Sequence, residues 1–243
     1  MICEGKVAIV TGAAGSGMGR SIALALAREG AKVVINYRTS MESAKAIVDR
    51  IESRGGSAIA IQADIFEAHG CKKLVDAAVE RFNQVNICII SPGGGWHPEP
   101  IDRLDPTATL EDVHHEIAPL FYLMPLVLPG MYKRKWGRLI GIALHPTRPP
   151  PAYSYNVGKA ARAQALLLAR DQAWFYGVTV NIIAPSPVPA IKSLKEAIEQ
   201  CDHGPAWQKR TTTSPQDIAE SVAFLCSESG RFITGCMIPF MSS

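Results

Sequence analysis

The chain has 243 residues, of which 47% are hydrophobic, and a formal net charge of +3. A chain of this length and composition can bury one substantial core, so we expect a single domain over residues 1–243. The charge is too small, and the Lys and Arg residues are too scattered, to predict a nucleic acid or an acidic membrane surface as a partner.

The six cysteines lie far apart, without C-x-x-C spacing. Several of them lie in apolar runs, where cysteine behaves as a small hydrophobic residue, so we expect reduced thiols and no structural metal. The first residues, MICEGKVAIVTG, lack a basic segment followed by a long apolar run. No stretch approaches the roughly 20 apolar residues of a membrane span. These features predict a cytoplasmic protein without membrane contact.

The first structural signal is a strand, a glycine-rich turn and a helix in direct succession. Residues 6–10 predict a strand, residues 11–19 contain four glycines, and residues 21–28 predict a helix that stops at Gly30. Glycines let a phosphate approach the backbone, and the helix N-terminus supplies free N–H groups and the positive end of a dipole. A glycine cluster alone is often only a turn, but this order favours a nucleotide site.

Arg38 follows the second predicted strand, residues 31–36. In dinucleotide-binding folds this position, about 20 residues beyond the glycine loop, faces the adenosine ribose. An acidic residue there accepts a hydrogen bond from the 2′-hydroxyl, whereas an arginine suits a 2′-phosphate. Arg38, with no acid nearby in the sequence, therefore favours NADP(H) over NAD(H). The alternative is a solvated arginine without a ligand.

Helices and strands continue to alternate along the rest of the chain. This βαβα order predicts a parallel sheet covered by helices on both faces. A second glycine turn, residues 91–96, follows a buried strand at the carboxyl end, where ligands collect. Further strands are predicted at residues 57–62, 86–90, 138–143, 178–183 and 232–240, and further helices at 41–53, 71–82, 110–131, 160–176, 191–200 and after Ser214-Pro215.

Two segments depart from this regular pattern. Pro119, Pro125 and Pro129 lie within or near the end of the helix over residues 110–131, so we expect a kink or a break there. Residues 189–213 follow a proline-rich run and are polar and irregular, and we interpret them as a substrate lid.

Tyr155 and Lys159 are four residues apart, which places both on one face of a helix. A phenol has a reference pKa of about 10, and a nearby ammonium lowers that pKa toward the range that proton transfer requires. The pair is therefore a candidate acid/base couple. An ordinary helix surface is the alternative.

Taken together, these elements resemble the short-chain dehydrogenase/reductase family, in particular the branch that contains the β-ketoacyl-carrier-protein reductases. The similarity extends through KVAIVTG, VVINYRTS, QAD, AYSYNVGKA, GVTVNIIAPSPV and RFITG. The resemblance implies an α/β fold, a single doubly wound Rossmann domain with six to seven parallel strands and helices on both faces. It also implies a nicotinamide cofactor and hydride transfer to or from a carbonyl carbon.

The resemblance also implies roles for individual residues. Tyr155 matches the catalytic acid, and Lys159 matches the residue that binds the nicotinamide ribose and lowers the tyrosine pKa. Arg38 matches the position that selects NADP, and Asp64 the adenine contact. The other implied cofactor contacts are Thr11, Gly12, Gly17, Gly19, Gly93 and Val188.

The chain departs from the family pattern at several of these places. The glycine loop, residues 11–19, is one residue longer than in the family, and Ile-Ser-Pro-Gly at residues 90–93 replaces Asn-Asn-Ala-Gly. Glu116 occupies the position of the proton-relay asparagine. Ser186 stands where the family has a glycine, and Pro189 or Ala190 replaces the threonine that helps to hold the carboxamide.

The catalytic serine that the family carries after the fifth strand is also missing. The aligned residues are Ala143 and Leu144, and no serine lies between Gly137 and Tyr153. His145 is the candidate that could donate a hydrogen bond to the substrate carbonyl instead, and Thr147 is a second choice. A plain loop residue is the alternative for His145.

Three functions therefore stay open at this point. The first is an NADP(H)-dependent oxidoreductase acting on a small carbonyl or alcohol, and the second is a subunit or scaffold that has lost turnover. The third is non-redox acid/base chemistry by Tyr155, Glu116 and His145. The helix over residues 160–176 is apolar on more than one face, which predicts a homodimer or homotetramer, or a hetero-oligomer with a related chain.

Overall fold

The structure, a computed structural model, describes residues 1–93, 98–145, 152–204 and 210–241. Within these residues strands and helices alternate around one sheet. The strands are β1 (Val7–Val10), β2 (Lys32–Tyr37), β3 (Ala58–Gln62), β4 (Ile87–Ile90), β5 (Gly137–Ile142), β6 (Val178–Pro185) and β7 (Met237–Phe240). The helices are α1 (Met18–Arg28), α2 (Met41–Ser53), α3 (Ala68–Phe82), α4 (Pro106–Arg134), α5 (Tyr153–Phe175), α6 (Leu194–His203) and α7 (Pro215–Cys226).

The sheet is parallel throughout, with the strand order β3-β2-β1-β4-β5-β6-β7. The predicted doubly wound α/β fold is therefore confirmed. The strand order reverses direction between β1 and β4, and such a switch point opens a crevice at the carboxyl ends of the strands.

Two apolar cores lie on the two faces of the sheet. Along β1, Ala8 and Val10 pack into the core beneath α1, α2, α6 and α7, whereas Val7 and Ile9 pack into the core beneath α3, α4 and α5. Because both faces are covered, β1 and β4 in the middle of the sheet consist entirely of buried apolar residues. No helix within the described ranges is long and apolar enough to cross a bilayer.

The expected break in the proline-containing helix is wrong, since α4 is one helix of 29 residues. Each internal proline removes a backbone donor. Leu120 and Leu123, on the carboxyl side of Pro119, are fully buried, and Ala118 on its other side is buried as well. Packing along α3 and α5 thus keeps α4 continuous despite the lost hydrogen bonds, and the expected kink stays a prediction.

The last strand is shorter than predicted, because β7 begins only at Met237. Gly235 has φ +71°, a left-handed conformation that a regular strand excludes. The preceding residues form turns instead, as in the hydrogen bond from Arg231 N to Glu228 O at 3.2 Å.

Candidate active site

The glycine-rich loop connects β1 to α1 at the crevice. Gly12 has φ +63°, and its N–H donates to Asn36 Oδ1 at 3.1 Å. A Cβ atom on Gly19 would lie 2.7 Å from the Gly12 carbonyl oxygen, so only glycine lets the loop close this tightly. Gly17 precedes α1, whose first turn carries no acidic residue. The positive end of the helix dipole is therefore left uncompensated and suits an anionic group.

Thr11 joins the ends of β1 and β4. Its hydroxyl donates to the carbonyl oxygen of Ile89 at 3.0 Å and accepts from the N–H of Ser91 at 3.0 Å. The side chain is fully buried. Thr11 therefore supports the loop from below, and its implied contact with a cofactor stays a prediction.

A pocket of about 260 Å³ opens where β1 to β4 end. It is walled in part by the apolar side chains of Ile65 and Phe66. The structure brings four of the predicted cofactor residues into its lining: Gly12, Arg38, Asp64 and Gly93. A mixed lining of this kind suits a flat ring with polar substituents. The second glycine turn extends beyond this pocket into residues 94–96, which lie outside the described residues.

Arg38 is exposed at the rim of this pocket. Its NH1 lies 3.9 Å from Asp64 Oδ2, and its guanidinium carbon lies 5.8 Å from the centre of the Phe66 ring. No acid lies near Arg38 in the sequence, but the parallel pairing of β2 with β3 brings Asp64, in the loop after β3, beside it. Such a long, exposed ion pair is weak, so the guanidinium stays available to a stronger anion.

Tyr155 and Lys159 lie in the first two turns of α5. Tyr155 is half-buried, and Lys159 is only 4% exposed. The Lys159 Nζ lies 5.2 Å from the centre of the Tyr155 ring. The two residues therefore share one helical face, as their spacing predicts.

Glu116 reaches the same place from α4 and is fully buried. Its Oε2 lies 3.1 Å from Lys159 Nζ and 3.1 Å from an NH2 of Arg162. Two glycines make room for it. A Cβ atom on Gly158 would lie 2.7 Å from the Glu116 Cβ, and one on Gly93 would overlap the Glu116 carboxylate.

Arg162, one turn beyond Lys159, is also fully buried. Its Nε donates to the backbone carbonyl of Glu116 at 2.7 Å. Its other nitrogens reach carbonyl oxygens after two strands: Ile142 at 3.1 Å, Ser91 at 3.4 Å and Pro92 at 2.7 Å. The guanidinium thus ties α4 and α5 to the ends of β4 and β5.

The proton-transfer groups have shifted pKa values in this cluster. Burial, and next the Glu116 carboxylate, raise the pKa of Tyr155 to about 12, while Arg162 opposes the rise. Burial, and next the Arg162 charge, lower the pKa of Lys159 to about 7, while Glu116 opposes the fall. The expected lowering of the tyrosine pKa by Lys159 is therefore not seen here, because burial and Glu116 dominate at Tyr155.

His145 lies at the same edge of the sheet, three residues beyond β5. Its backbone N–H donates to the carbonyl oxygen of Pro185 at 3.1 Å, and the residue is 6% exposed. Leu144 beside it is partly exposed, and Ala143 is buried. Thr147, the second choice as a donor, lies outside the described residues.

The predicted lid begins after β6. Val188 is partly exposed and packs on the core beneath α1. The N–H of Ile191 donates to the carbonyl oxygen of Ser16 at 3.0 Å, which ties this segment to the glycine loop. Residues 205–209 lie outside the described residues, so the lid over 189–213 stays a prediction.

Comparison with known proteins identifies the family. Residues 12–240 match the family model described as Enoyl-(Acyl carrier protein) reductase. The chain is 34% identical over 243 residues to the 7alpha-hydroxysteroid dehydrogenase of Escherichia coli (strain K12), and the alignment covers 96% of this chain and 91% of that protein. The chain belongs to the short-chain dehydrogenase/reductase family.

Two solved short-chain dehydrogenase/reductase structures share the whole fold. A 7 alpha-hydroxysteroid dehydrogenase complexed with NADH and 7-oxo glycochenodeoxycholic acid has a TM-score of 0.83 at 26% identity, covering 98% of this chain and 93% of that chain. A short chain dehydrogenase from Burkholderia cenocepacia J2315 in complex with NADP has a TM-score of 0.83 at 28% identity, covering 99% and 98%. Since one holds NADH and the other NADP, local residues must decide the cofactor preference of this chain.

One departure from the short-chain dehydrogenase/reductase pattern acquires a structural role here. Pro92, in the turn after β4, packs on the glycine loop, because a Cβ atom on Gly12 would lie 3.1 Å from Pro92 Cγ. The carbonyl of Pro92 is in turn held by Arg162. The altered turn is therefore held by the glycine loop on one side and by Arg162 on the other.

Sequence reasoning missed two residues of this site. Asn36 holds the glycine loop through Gly12 and donates from Nδ2 to the carbonyl oxygen of Ala63 at 3.0 Å. Nothing in the sequence distinguishes it from any polar residue near a strand end. Arg162 did leave a signal: it stands in an apolar helix at i+7 from Tyr155 and i+3 from Lys159, on the same face.

Proposed function

We propose that this chain is an NADP(H)-dependent oxidoreductase that transfers hydride between nicotinamide and a small carbonyl or alcohol substrate. One observation carries the proposal. Gly93 lines the pocket at the switch point and contacts Glu116, which pairs with Lys159 beside Tyr155. A pocket suited to a dinucleotide and a pair of proton-transfer groups therefore adjoin at one edge of the sheet.

The residues present fit a dinucleotide. The glycine loop and the N-terminus of α1 would hold the pyrophosphate, Asp64 the adenine, and Arg38 a 2′-phosphate. Lys159 and Val188 would hold the nicotinamide end. The bound nicotinamide supplies or accepts the hydride.

The proton chemistry belongs to the protein. During reduction the Tyr155 hydroxyl donates its proton to the substrate oxygen as the carbonyl carbon gains the hydride, and oxidation reverses the transfer. The Lys159 ammonium stabilises the phenolate that remains. We assign the polarising hydrogen bond to His145, which lies at the same edge in place of the missing serine.

Two measurements test this function. Calorimetry should show binding of NADPH, and Tyr155→Phe should abolish NADPH-dependent turnover while leaving NADPH binding intact. This chain lacks the serine that polarises the substrate carbonyl in the family. We therefore expect faster turnover of activated ketones, such as diketones or quinones, than of simple ketones. If NADPH does not bind, the oxidoreductase proposal is wrong.

A second candidate function is a subunit or scaffold without turnover. The observation that favours it is the contact between Glu116 and Lys159, which engages the ammonium that the phenolate of Tyr155 needs. Under this proposal no ketone in a broad panel is reduced. The third possibility, non-redox acid/base chemistry by Tyr155, Glu116 and His145, would instead leave turnover that needs no nicotinamide.

We also propose that the chain assembles with a second copy through the outer face of α4 and α5. Leu168 and Phe121 on this face are 73% and 53% exposed. Phe121 also lines a groove of about 320 Å³ between α4 and α5, whose other lining side chains are mainly apolar, among them Met124, Leu128 and Ala169. Apolar area of this kind is a common interface in symmetric dimers and tetramers, and a related chain is the alternative partner.

A further inference from the structure

We propose that Arg162 is a positioning residue of this site, which fixes the Glu116 carboxylate against Lys159 and thereby sets the protonation state of Lys159. The effect of Arg162 on turnover rests on the proposed oxidoreductase function. Its effect on the titration of Lys159, however, can be measured without turnover.

The guanidinium of Arg162 is held by hydrogen bonds at all three of its nitrogens. A guanidinium has five N–H donors in a fixed plane. Four carbonyl oxygens accept from it, those of Glu116, Ser91, Pro92 and Ile142, and the Glu116 carboxylate lies 3.1 Å from its NH2 as an ion pair. An arginine bound in this way cannot swing aside, and it holds both the backbone and the carboxylate of Glu116. Lysine, with three donors on a flexible stem, could not make the same set of contacts.

Glu116, Lys159 and Arg162 form a buried charged cluster, which is electrostatically costly. Apolar residues commonly replace buried ion pairs without loss of stability, so a buried charged cluster is weak evidence for a stabilising role. Here one carboxylate faces two cations, so the cluster has a net charge of +1 when Glu116, Lys159 and Arg162 are all ionised. Glycines at positions 93 and 158 are also needed to accommodate Glu116. A chain that needed only a packed interface between α4 and α5 would require none of these features.

The charges around Lys159 act on its pKa in opposite directions. Among the described residues, the groups that face its amine are Glu116 from α4, and Tyr155 and Arg162 from α5. Arg162 lowers the pKa of Lys159 and Glu116 raises it, and with burial the result is a pKa of about 7. Lys159 thus exchanges a proton near neutral pH, instead of staying a permanent ammonium.

The consequence for reduction follows from the charge that the Tyr155 phenolate needs. The ammonium form of Lys159 stabilises the phenolate, so turnover should decline as Lys159 loses its proton above about pH 7. Without Arg162, the repulsion on Lys159 disappears and the decline should move to higher pH. Without the Glu116 charge, the attraction disappears and the decline should move to lower pH.

The decisive experiment follows the titration of Lys159 by NMR in protein labelled with ¹⁵N-lysine, with the signal assigned by its loss in Lys159→Met. In Arg162→Leu we expect the Lys159 pKa to rise by about one unit, and in Glu116→Gln to fall by a similar amount. Arg134→Leu is the matched control: Arg134, on α4, likewise donates to a backbone carbonyl, that of Val85 at 2.6 Å, but it is not among the groups that face Lys159. It should leave the titration unchanged. Should Arg162→Leu not fold, Arg162→Gln removes the charge, keeps an amide donor, and should give the same upward shift.

A titration that does not move in Arg162→Leu or Arg162→Gln, or that moves in the same direction in the arginine and Glu116 variants, overturns the proposal. Turnover is measured in parallel against pH at saturating NADPH, where opposite displacements of the profile are expected. A merely structural role would lower turnover at every pH without moving the profile. If the oxidoreductase proposal is wrong, NADPH binding fails while the NMR shifts remain, so the two failures can be told apart.

Discussion

Lys159 combines two properties that rarely coexist in one side chain: it is almost completely buried, and it carries a group that is normally charged at neutral pH. Burial lowers its pKa from 10.5 to about 7 because the folded protein disfavours the ammonium more than water does. The unfolded chain therefore binds this proton more tightly than the native state.

This difference predicts how stability depends on pH. Between about pH 7 and pH 10.5 the unfolded state holds more protons at Lys159, so its contribution to the free energy of unfolding increases with pH in this window. In Lys159→Met that contribution is absent. We therefore expect the variant to gain stability over the natural chain near pH 7 and to lose part of that advantage near pH 8.5, measured by urea unfolding. The pH range stops there because the cysteine thiols of the unfolded chain begin to titrate above it, whereas burial raises the native pKa of Cys3 to about 11.

Arg38 provides a test of cofactor choice. A hydrogen bond to a charged group is worth about 1.5–3 kcal/mol, so loss of a 2′-phosphate contact should weaken NADPH binding about 10- to 100-fold. Arg38→Asp should also gain affinity for NADH, because a carboxylate accepts from the 2′-hydroxyl. Calorimetry with both cofactors measures the two effects. Equal affinity of the unmodified chain for NADPH and NADH would contradict the assignment.

His145 is the remaining candidate for polarising the substrate. Removal of one such donor typically costs two to three orders of magnitude in turnover. His145→Ala should therefore reduce turnover about a hundredfold with little change in the Kd for NADPH, as determined by steady-state kinetics and calorimetry. A variant that retains full activity would show that a backbone N–H or another side chain polarises the carbonyl.

At the scale of elements, the contact between α4 and α5 decides where Glu116 can lie. Gly158 of α5 faces the Glu116 side chain, whereas Gly130 of α4 faces only the end of the exposed Arg134 side chain. Within a helix, replacing glycine by alanine ordinarily raises the free energy of unfolding by about 0.5–1 kcal/mol.

The two glycines should therefore respond in opposite ways to the same substitution. Gly158→Ala should lower the melting temperature, because its Cβ would lie 2.7 Å from the Glu116 Cβ in a packed interface. Gly130→Ala should leave it unchanged or raise it. Differential scanning calorimetry of both variants measures the contrast. Equal stabilisation by the two substitutions would mean that Glu116 moves without cost.

At the scale of the whole molecule, the outer face of α4 and α5 predicts self-association. Leu168→Glu should shift the mass in light scattering at micromolar concentration toward the monomer, because a charge at the centre of an apolar interface is costly. Met41→Glu, on the exposed surface of α2, is the control and should leave the mass unchanged. A monomeric unmodified chain would refute the assembly.

The sequence by itself determined most of the architecture. The β-branched runs and the glycine turns sufficed for the alternating strands and helices, and hence for a parallel sheet with a crevice at its switch point. Tyr155 and Lys159 could be paired from their spacing, because a helix fixes the direction of residues four apart. Glu116 was recognised as a substitution at a catalytic position, but its contacts were not predictable.

Only the tertiary structure decided which charges meet. Asp64 approaches Arg38 because β2 pairs with β3, and Glu116 approaches Lys159 because α4 packs against α5. Such pairings depend on contacts between residues far apart in the chain, and the hydrophobic pattern of each segment does not predict these contacts. The pKa of a group depends on that environment, so burial and the Glu116 carboxylate raise the pKa of Tyr155, where the sequence alone predicted a lowering by Lys159.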